Sequence, residues 1–212
     1  MANLEYLSTT RLPTLWGPFQ MALYREKATG KEHVFLWMGN LSHTDSAPLV
    51  RIHSECMTGD VFASLRCDCG QQLQEAMKAV AREGRGAIIY LRQEGRGIGL
   101  AAKMQAYALQ DSGLDTVEAN LALGFAPDER NFSAAVEMLF AASVSQVRLI
   151  TNNPEKVEAL ENAGIEVVER VSIAPAEHQE NSRYLRTKVE KMRHLISLDV
   201  ALSADLPTHD EG

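Results

Sequence analysis

The chain has 212 residues, of which 45% are hydrophobic and 23% charged, values that are ordinary for a soluble globular protein. This length favours one domain that buries a full core without disulfides. The formal net charge of −7 argues against a broad basic surface for nucleic acid, and no apolar run is long enough to span a bilayer, so neither a nucleic acid nor a membrane is expected as a partner.

Three cysteines cannot complete a set of disulfides, and residues 1–18 lack the basic start and continuous apolar core of a signal peptide. Both features favour a reducing compartment, in which thiols stay free for metal binding or catalysis. We therefore expect a cytoplasmic protein.

The N-terminal part of the chain is predicted to be rich in β-structure. Clustered apolar residues indicate strands over 19–25 and 33–38, on either side of a turn, and a further strand over 48–52. Helical spacing of apolar residues predicts a helix over 71–83, and a short buried strand follows at 87–91.

Strands and helices alternate in the second half of the chain. Helices are predicted over 97–110, 132–142, 154–163 and 184–198, and strands over 147–150 and 165–168. This order implies an α/β fold of mixed (α+β) character, with a mixed, partly parallel sheet flanked by helices. Periodicity stops at residue 199, so we expect one domain over 1–198 and an acidic, disordered tail over 199–212.

All three cysteines fall within one short window, at Cys56, Cys67 and Cys69. Burial as a small hydrophobe is the ordinary role of a single cysteine, but the polar sequence RCDCG at 66–70 is untypical of a core strand. Thiolates are soft ligands that suit zinc, and residues two apart in an extended segment share a face. We expect one zinc ion per subunit with water in the fourth position, as in catalytic sites; the alternative is a closed structural site with His53 as the fourth ligand.

The segment RQEGRGIGL at 92–100 lies between a predicted strand and a predicted helix. Its glycines allow close backbone approach, the helix N-terminus attracts anions, and Arg92 and Arg96 offer bidentate contacts. It is a candidate phosphate site, although many glycine turns only join elements. Thr151 follows another strand, at a point where ligands of parallel sheets gather. Lys156 lies in the first turn of a helix, which is an unfavourable place for a cation unless an anion binds beside it.

Five segments in this order resemble GTP cyclohydrolase II, over about residues 12–195. They are RIHSEC at 51–56, RCDCG at 66–70, RQEGRGIGL at 92–100, DTVEAN at 115–120 and LITNNP at 149–154. The resemblance implies a hydrolase acting on cyclic amidine C–N bonds, which converts GTP to 2,5-diamino-6-ribosylamino-4(3H)-pyrimidinone 5′-phosphate, formate and pyrophosphate in the first committed step of riboflavin synthesis. It also implies a homodimer that uses zinc, and Mg²⁺ bound with the GTP triphosphate. Since no upstream synthase domain is seen, the activity that makes the other riboflavin precursor is not expected.

The resemblance also implies a role for individual residues. Cys56, Cys67 and Cys69 match zinc ligands, and Tyr107 matches a residue near the reacting purine ring. Asp128 matches a proton acceptor, and Arg130 a proposed nucleophile toward the α-phosphate. The implied GTP contacts are Arg51, Ile52, His53, Ser54, Glu55, Gln72, Glu94, Gly95, Arg96, Thr116, Thr151 and Lys156.

On the residues alone, Asp128 and Arg130 fit a solvated charge pair and Tyr107 a packed aromatic. A guanidinium is a poor nucleophile because its pKa is above about 12, so a phosphate clamp is the simpler role for Arg130. We expect the basic residues to converge on one pocket that binds the GTP polyanion. These residues are Arg51, Arg92, Arg96, Arg130 and Lys156.

Two other functions are open from the sequence. A related enzyme could open the ring but retain the formyl group, or act on another nucleotide; the presence of Tyr107 favours complete release of formate. A non-catalytic GTP-binding regulator would carry a structural zinc, and the set of Asp128, Arg130 and Tyr107 disfavours it.

Overall fold

Seven strands form one mixed sheet in the computed structural model, which describes residues 3–42, 46–174, 179–193 and 195. The strands are β1 (Leu4–Thr14), β2 (Gly17–Glu26), β3 (Glu32–Met38), β4 (Leu49–Ser54), β5 (Gly86–Leu91), β6 (Gln146–Ile150) and β7 (Glu166–Val171). Their order across the sheet is β1-β2-β3-β5-β4-β6-β7. The pairs from β1 to β5 are antiparallel, and those from β5 through β4 and β6 to β7 are parallel.

Helices cover both faces of this sheet. They are α1 (Met57–Asp60), α2 (Cys69–Glu83), α3 (Leu100–Asp111), α4 (Thr116–Ala122), α5 (Ser133–Ala141), α6 (Pro154–Asn162) and α7 (Ser182–Met192). Successive side chains of a strand point to opposite faces, so alternate residues of β4 and β5 enter two separate apolar clusters. Ile52 and Ile89 pack with the α5 and α6 side, whereas Leu49 and Ile88 pack with α2.

The predicted fold class is confirmed, because the sheet is mixed, partly parallel and flanked by helices, with a β-rich N-terminal part. Strand β1 was missed since it is an edge strand whose residues are mostly exposed, so it lacks the apolar alternation of a half-buried strand. Helices α1 and α4 were missed because they are short. A capping box between Asp115 and Glu118 was the available signal for α4.

Two predicted helix ends differ from the structure. Helix α3 begins at Leu100 rather than at 97, because Gly97 and Gly99 adopt φ values of 98° and 87° that a helix cannot continue. Before it, Glu94–Gly97 forms a short 3₁₀ turn. Helix α7 ends at Met192, before the predicted 198, with Arg193 in the left-handed region at φ 55°.

The predicted disordered tail over 199–212 lies outside the described residues. Within the described part of the chain, no helix is both long enough and apolar enough to cross a membrane.

Candidate active site

One cavity opens at the carboxyl ends of the parallel strands β4, β5 and β6, where ligands of such sheets gather. Helices α2, α3, α4, α6 and α7 also contribute to its wall. All of the predicted site residues line it except two, Ile52 and Asp128. Ile52 is fully buried in the core and faces the site through its carbonyl, which accepts a hydrogen bond from Lys156 Nζ at 2.8 Å.

Two glycines let the cysteine-bearing segments approach each other. Cys56 immediately precedes α1, and Cys69 is the first residue of α2. A Cβ on Gly70 would lie 2.2 Å from the Gly59 carbonyl oxygen, and a Cβ on Gly59 would lie 2.8 Å from Cys67 Sγ. With only hydrogen at these positions, the three sulfurs lie within 4.8 Å of one another.

The three sulfurs converge for a different reason from the one expected. Cys67 and Cys69 do not share the face of an extended segment, because α2 begins between them with Asp68 as its N-cap.

The three thiols shift one another's pKa values. Hydrogen bonds with the Cys67 and Cys69 thiols lower the pKa of Cys56, and the bond with Cys56 raises the pKa of Cys67 to about 11. Three thiolates so close together are unfavourable unless a cation joins them, so this donor set fits a soft divalent metal such as zinc.

A buried lysine that the sequence did not single out lies beside the cysteines. Lys103 Nζ donates to Cys56 Sγ at 3.2 Å, to Thr58 Oγ1 at 3.0 Å and to Glu94 Oε1 at 2.8 Å. Burial favours the neutral amine, but the charges of Cys56 and Glu94 outweigh it and raise the pKa of Lys103. The Tyr107 hydroxyl lies 3.4 Å from Thr58 Oγ1, and burial raises the pKa of Tyr107, so its phenol is neutral near neutral pH.

His53 does not join the metal cluster. Its Nε2 lies 3.0 Å from an oxygen of Asp60, and the same carboxylate accepts bonds from the Cys56 backbone N–H at 3.0 Å and the Tyr90 hydroxyl at 2.9 Å. Among the described residues, the group that could hold a metal ion consists of the three cysteines alone. Three ligands leave a coordination position open, which disfavours the closed structural site.

Several basic side chains line the same cavity. Arg51 donates from Nη1 to the Ile150 carbonyl at 3.0 Å and from Nη2 to Gln72 Oε1 at 2.6 Å. Lys156 is buried, and its burial, reinforced by the charge of Arg51, places its pKa well below the usual value. A bound anion would reverse that effect.

Arg96 offers two unused donors to this cavity. The Arg96 backbone adopts φ 61°, in the left-handed region, and the Arg96 carbonyl accepts a hydrogen bond from the Glu129 backbone N–H at 2.9 Å. Both terminal nitrogens, Nη1 and Nη2, are buried and have no hydrogen-bond partner among the described residues. Buried donors of a native protein are normally paired, so this guanidinium points to an anionic ligand.

Asp128 and Arg130 form a largely buried pair rather than a solvated surface cluster, with 14% and 11% of their side chains exposed. The Arg130 backbone N–H, Nε and Nη2 all donate to the Asp128 carboxylate. Burial opposes ionisation of Asp128, but the bonds and charge of Arg130 prevail and lower its pKa. The pKa of Arg130 is raised in turn, because Asp128 outweighs the burial that opposes its charge.

Arg92 does not converge on the cavity, contrary to expectation. Its side chain is half exposed, pairs with Glu55 at 2.9 Å and is not among the residues that line the cavity. The helix α7 instead supplies Lys188, whose Nζ donates to Asp68 at 2.7 Å, and Tyr184, whose ring centroid lies 4.5 Å from that Nζ. The i,i+4 spacing places these two on one helix face, but no sequence signal says that this face meets the cavity.

The fold and the site define a class: an α/β enzyme with an anion-binding cavity beside a three-thiol group that could hold a metal. The chain belongs to the GTP cyclohydrolase II family, whose model matches residues 5–172. This membership makes the protein a hydrolase and confirms the resemblance seen in the motifs.

Close relatives support the same assignment over nearly the whole chain. A GTP cyclohydrolase-2 of Haemophilus influenzae (strain ATCC 51907 / DSM 11121 / KW20 / Rd) is 54% identical over 196 residues, which cover 92% of this chain and 91% of the relative. The GTP cyclohydrolase-2 of Neisseria meningitidis (strain FAM18) is 55% identical over 195 residues, covering 92% and 98%. That of Tolumonas auensis is 52% identical over 196 residues, covering 92% and 99%.

Proposed function

We propose that the protein hydrolyses GTP to 2,5-diamino-6-ribosylamino-4(3H)-pyrimidinone 5′-phosphate, formate and pyrophosphate, the first committed step of riboflavin synthesis. The observation that carries the proposal is the junction of two chemistries in one cavity. A three-thiol cluster suited to zinc and basic side chains suited to a triphosphate line the same cavity. Removal of the C8 carbon of guanine as formate requires a metal that activates water. Cleavage of a phosphoanhydride requires cations that hold the triphosphate.

Cys56, Cys67 and Cys69 would hold one zinc ion per subunit. When bound, zinc supplies a Lewis acid that activates water for addition at C8. Tyr107 lies near the cysteines, and its neutral phenol can donate a hydrogen bond to oxygen as charge develops there during ring opening. Two cations also contact its ring: Arg66 at 4.9 Å and Lys103 at 5.5 Å from the centroid.

The triphosphate would bind among Arg51, Arg96, Arg130 and Lys156, with Mg²⁺ accompanying the phosphates. Arg96 has two unpaired donor nitrogens, and an anion beside Lys156 would favour the charged form of its amine. For Arg130 we favour a phosphate clamp over a nucleophile. Its pKa is raised by Asp128, so a neutral, nucleophilic guanidine is less accessible here than in water.

The same pairing bears on the proton-acceptor role of Asp128. A carboxylate with a lowered pKa and three bonds from Arg130 is a weak base, so it accepts a proton only if Arg130 turns to the substrate. We therefore propose that Asp128 positions Arg130 in the free enzyme, and that Arg130 exchanges this carboxylate for a phosphate when GTP binds.

We also propose a cytoplasmic homodimer. Its three cysteines are free thiols, which suits a reducing compartment. The loop between α1 and α2 exposes Val61, Phe62 and Leu65, with 68%, 70% and 51% of their surfaces accessible. Apolar side chains gathered in this way are typical of surfaces that a second subunit covers.

Chromatography of the purified protein with GTP, zinc and magnesium tests the proposal. We expect the pyrimidine monophosphate and pyrophosphate as products, with no turnover in Cys67→Ser. A formylated product would identify the related enzyme that stops before deformylation. GTP binding without any turnover would identify the regulator and overturn the proposal.

A further inference from the structure

Lys103 joins the cysteine cluster to the glycine–arginine turn through a single ammonium group. It lies on α3 and is 7% exposed. An ammonium has three N–H donors, and all three find an acceptor here: Cys56 Sγ, Thr58 Oγ1 and Glu94 Oε1, at 3.2, 3.0 and 2.8 Å. The side chain is therefore held in one position by bonds in three directions.

The charges around Lys103 require a cation at this point. Three thiolates around one divalent ion carry a net charge of −1, and the Glu94 carboxylate, 9% exposed, adds another negative charge nearby. Uncompensated charges of one sign are costly where water is excluded. Among the described residues, Lys103 is the cation that donates a hydrogen bond both to a cysteine of the cluster and to Glu94.

We propose that Lys103 is a positioning residue of the metal centre: its ammonium fixes the Cys56 sulfur by an N–H···S bond and balances the excess negative charge of the metal–thiolate group. This inference rests on the proposed zinc site. Outer partners of metal ligands orient the ligand and tune the metal. A bond donated to the sulfur withdraws electron density from it, which leaves a metal held by three thiolates a stronger Lewis acid.

The same ammonium links the metal centre to the substrate-binding groups. Glu94 starts the 3₁₀ turn that carries Arg96, and its second carboxylate oxygen accepts the Met57 backbone N–H at 2.6 Å, next to Cys56. Lys103 and Tyr107 are one helical turn apart on α3, so they present to the same side. Lys103 thus fixes the metal ligand, the start of the phosphate-binding turn and the surroundings of the phenol relative to one another.

Lys103→Met tests the role, because methionine keeps most of the side-chain volume but has neither charge nor donor. We expect its zinc affinity, measured by competition with a chromophoric chelator, to fall about 10- to 100-fold. In the cobalt-substituted protein, the sulfur-to-cobalt charge-transfer band should move to longer wavelength, because the sulfur loses its hydrogen bond. A purely structural role would not move this band in folded protein.

Two further variants complete the test. Lys103→Gln keeps a donor without the charge, so it should show a smaller band shift than Lys103→Met and a reduced zinc affinity; it decides the question if the methionine variant fails to fold. Lys78→Met is the matched control, since Lys78 is an ion-paired lysine on α2 that contacts Glu75 at 2.7 Å and is 41% exposed. It should bind zinc as the parent protein does.

The outcomes separate this inference from the proposed function. If the parent protein binds neither zinc nor cobalt, the metal site itself is wrong, and with it both proposals. If the parent binds zinc and both Lys103 variants bind it equally tightly with an unchanged cobalt spectrum, the role of Lys103 is overturned while the zinc site stands.

Discussion

Removing the Arg96 guanidinium should separate nucleotide binding from protein stability. Its Nη1 and Nη2 are buried without partners, and each unsatisfied donor costs about 1–3 kcal/mol in the free protein. Arg96→Met relieves that cost but loses a weak contact with the Tyr184 ring, 5.9 Å away, worth about 0.5–1 kcal/mol. We expect the free energy of unfolding to stay within about 1 kcal/mol of the parent value, or to rise.

Nucleotide affinity should respond very differently. Two charge-assisted hydrogen bonds to phosphate contribute about 1.5 kcal/mol or more each, so their loss weakens binding about 100-fold or more. Calorimetric titration with a non-hydrolysable GTP analogue measures the affinity, and denaturant unfolding measures the stability. The control Arg25→Met removes a surface arginine that pairs with Glu32 and should leave the affinity unchanged.

Arg130→Met provides the opposite case for comparison. It leaves the largely buried Asp128 carboxylate without its partner, so we expect a destabilisation of about 3 kcal/mol. If Arg96→Met destabilises the protein as much as Arg130→Met, or leaves the affinity for the analogue unchanged, then the idea that its unused donors await a phosphate is refuted.

Three further outcomes follow from the site. Cys67→Ser should lose its zinc, as measured by metal analysis of the purified protein, and full zinc occupancy in this variant would contradict the cluster as a metal site. Burial lowers the pKa of Lys156 and a phosphate raises it again, so binding of the GTP analogue should take up protons and should weaken as the pH rises. Calorimetry in buffers of different ionisation enthalpy measures this proton uptake, and Lys156→Met should abolish it. Proton release by the parent protein would contradict the expected direction of the pKa change. Mass spectrometry of a quenched reaction should find no guanylyl adduct, because a guanidinium paired first with Asp128 and then with a phosphate stays protonated. An adduct on Arg130 would identify it as the nucleophile.

The elements that carry strong apolar patterns were predictable from the sequence. The helix α2 and the strands β4, β5 and β6 lie within two residues of their predicted ends at each terminus, because their buried faces determine the pattern. The strand β1 was not predictable in the same way, since an exposed edge strand is stabilised by pairing with β2 rather than by an apolar face.

The site was predictable where local motifs carry the chemistry. The cysteine window, the glycine–arginine turn and the residues after β6 all line one cavity. Lys103 and Lys188 were not predicted as site residues, because a lysine on a helix is ordinarily exposed to solvent. Only the tertiary fold brings Lys103 to a cysteine and Lys188 to an aspartate. Arg92 was misassigned for the converse reason, since its position in the motif does not reveal that its side chain pairs with Glu55 outside the cavity lining.

The ratio of formate released to GTP consumed tests the central claim most directly. A three-thiol cluster and a phosphate-binding cavity that act on one substrate molecule predict one formate for each GTP, with the metal bound and magnesium present. A ratio near zero while GTP is consumed would contradict the account.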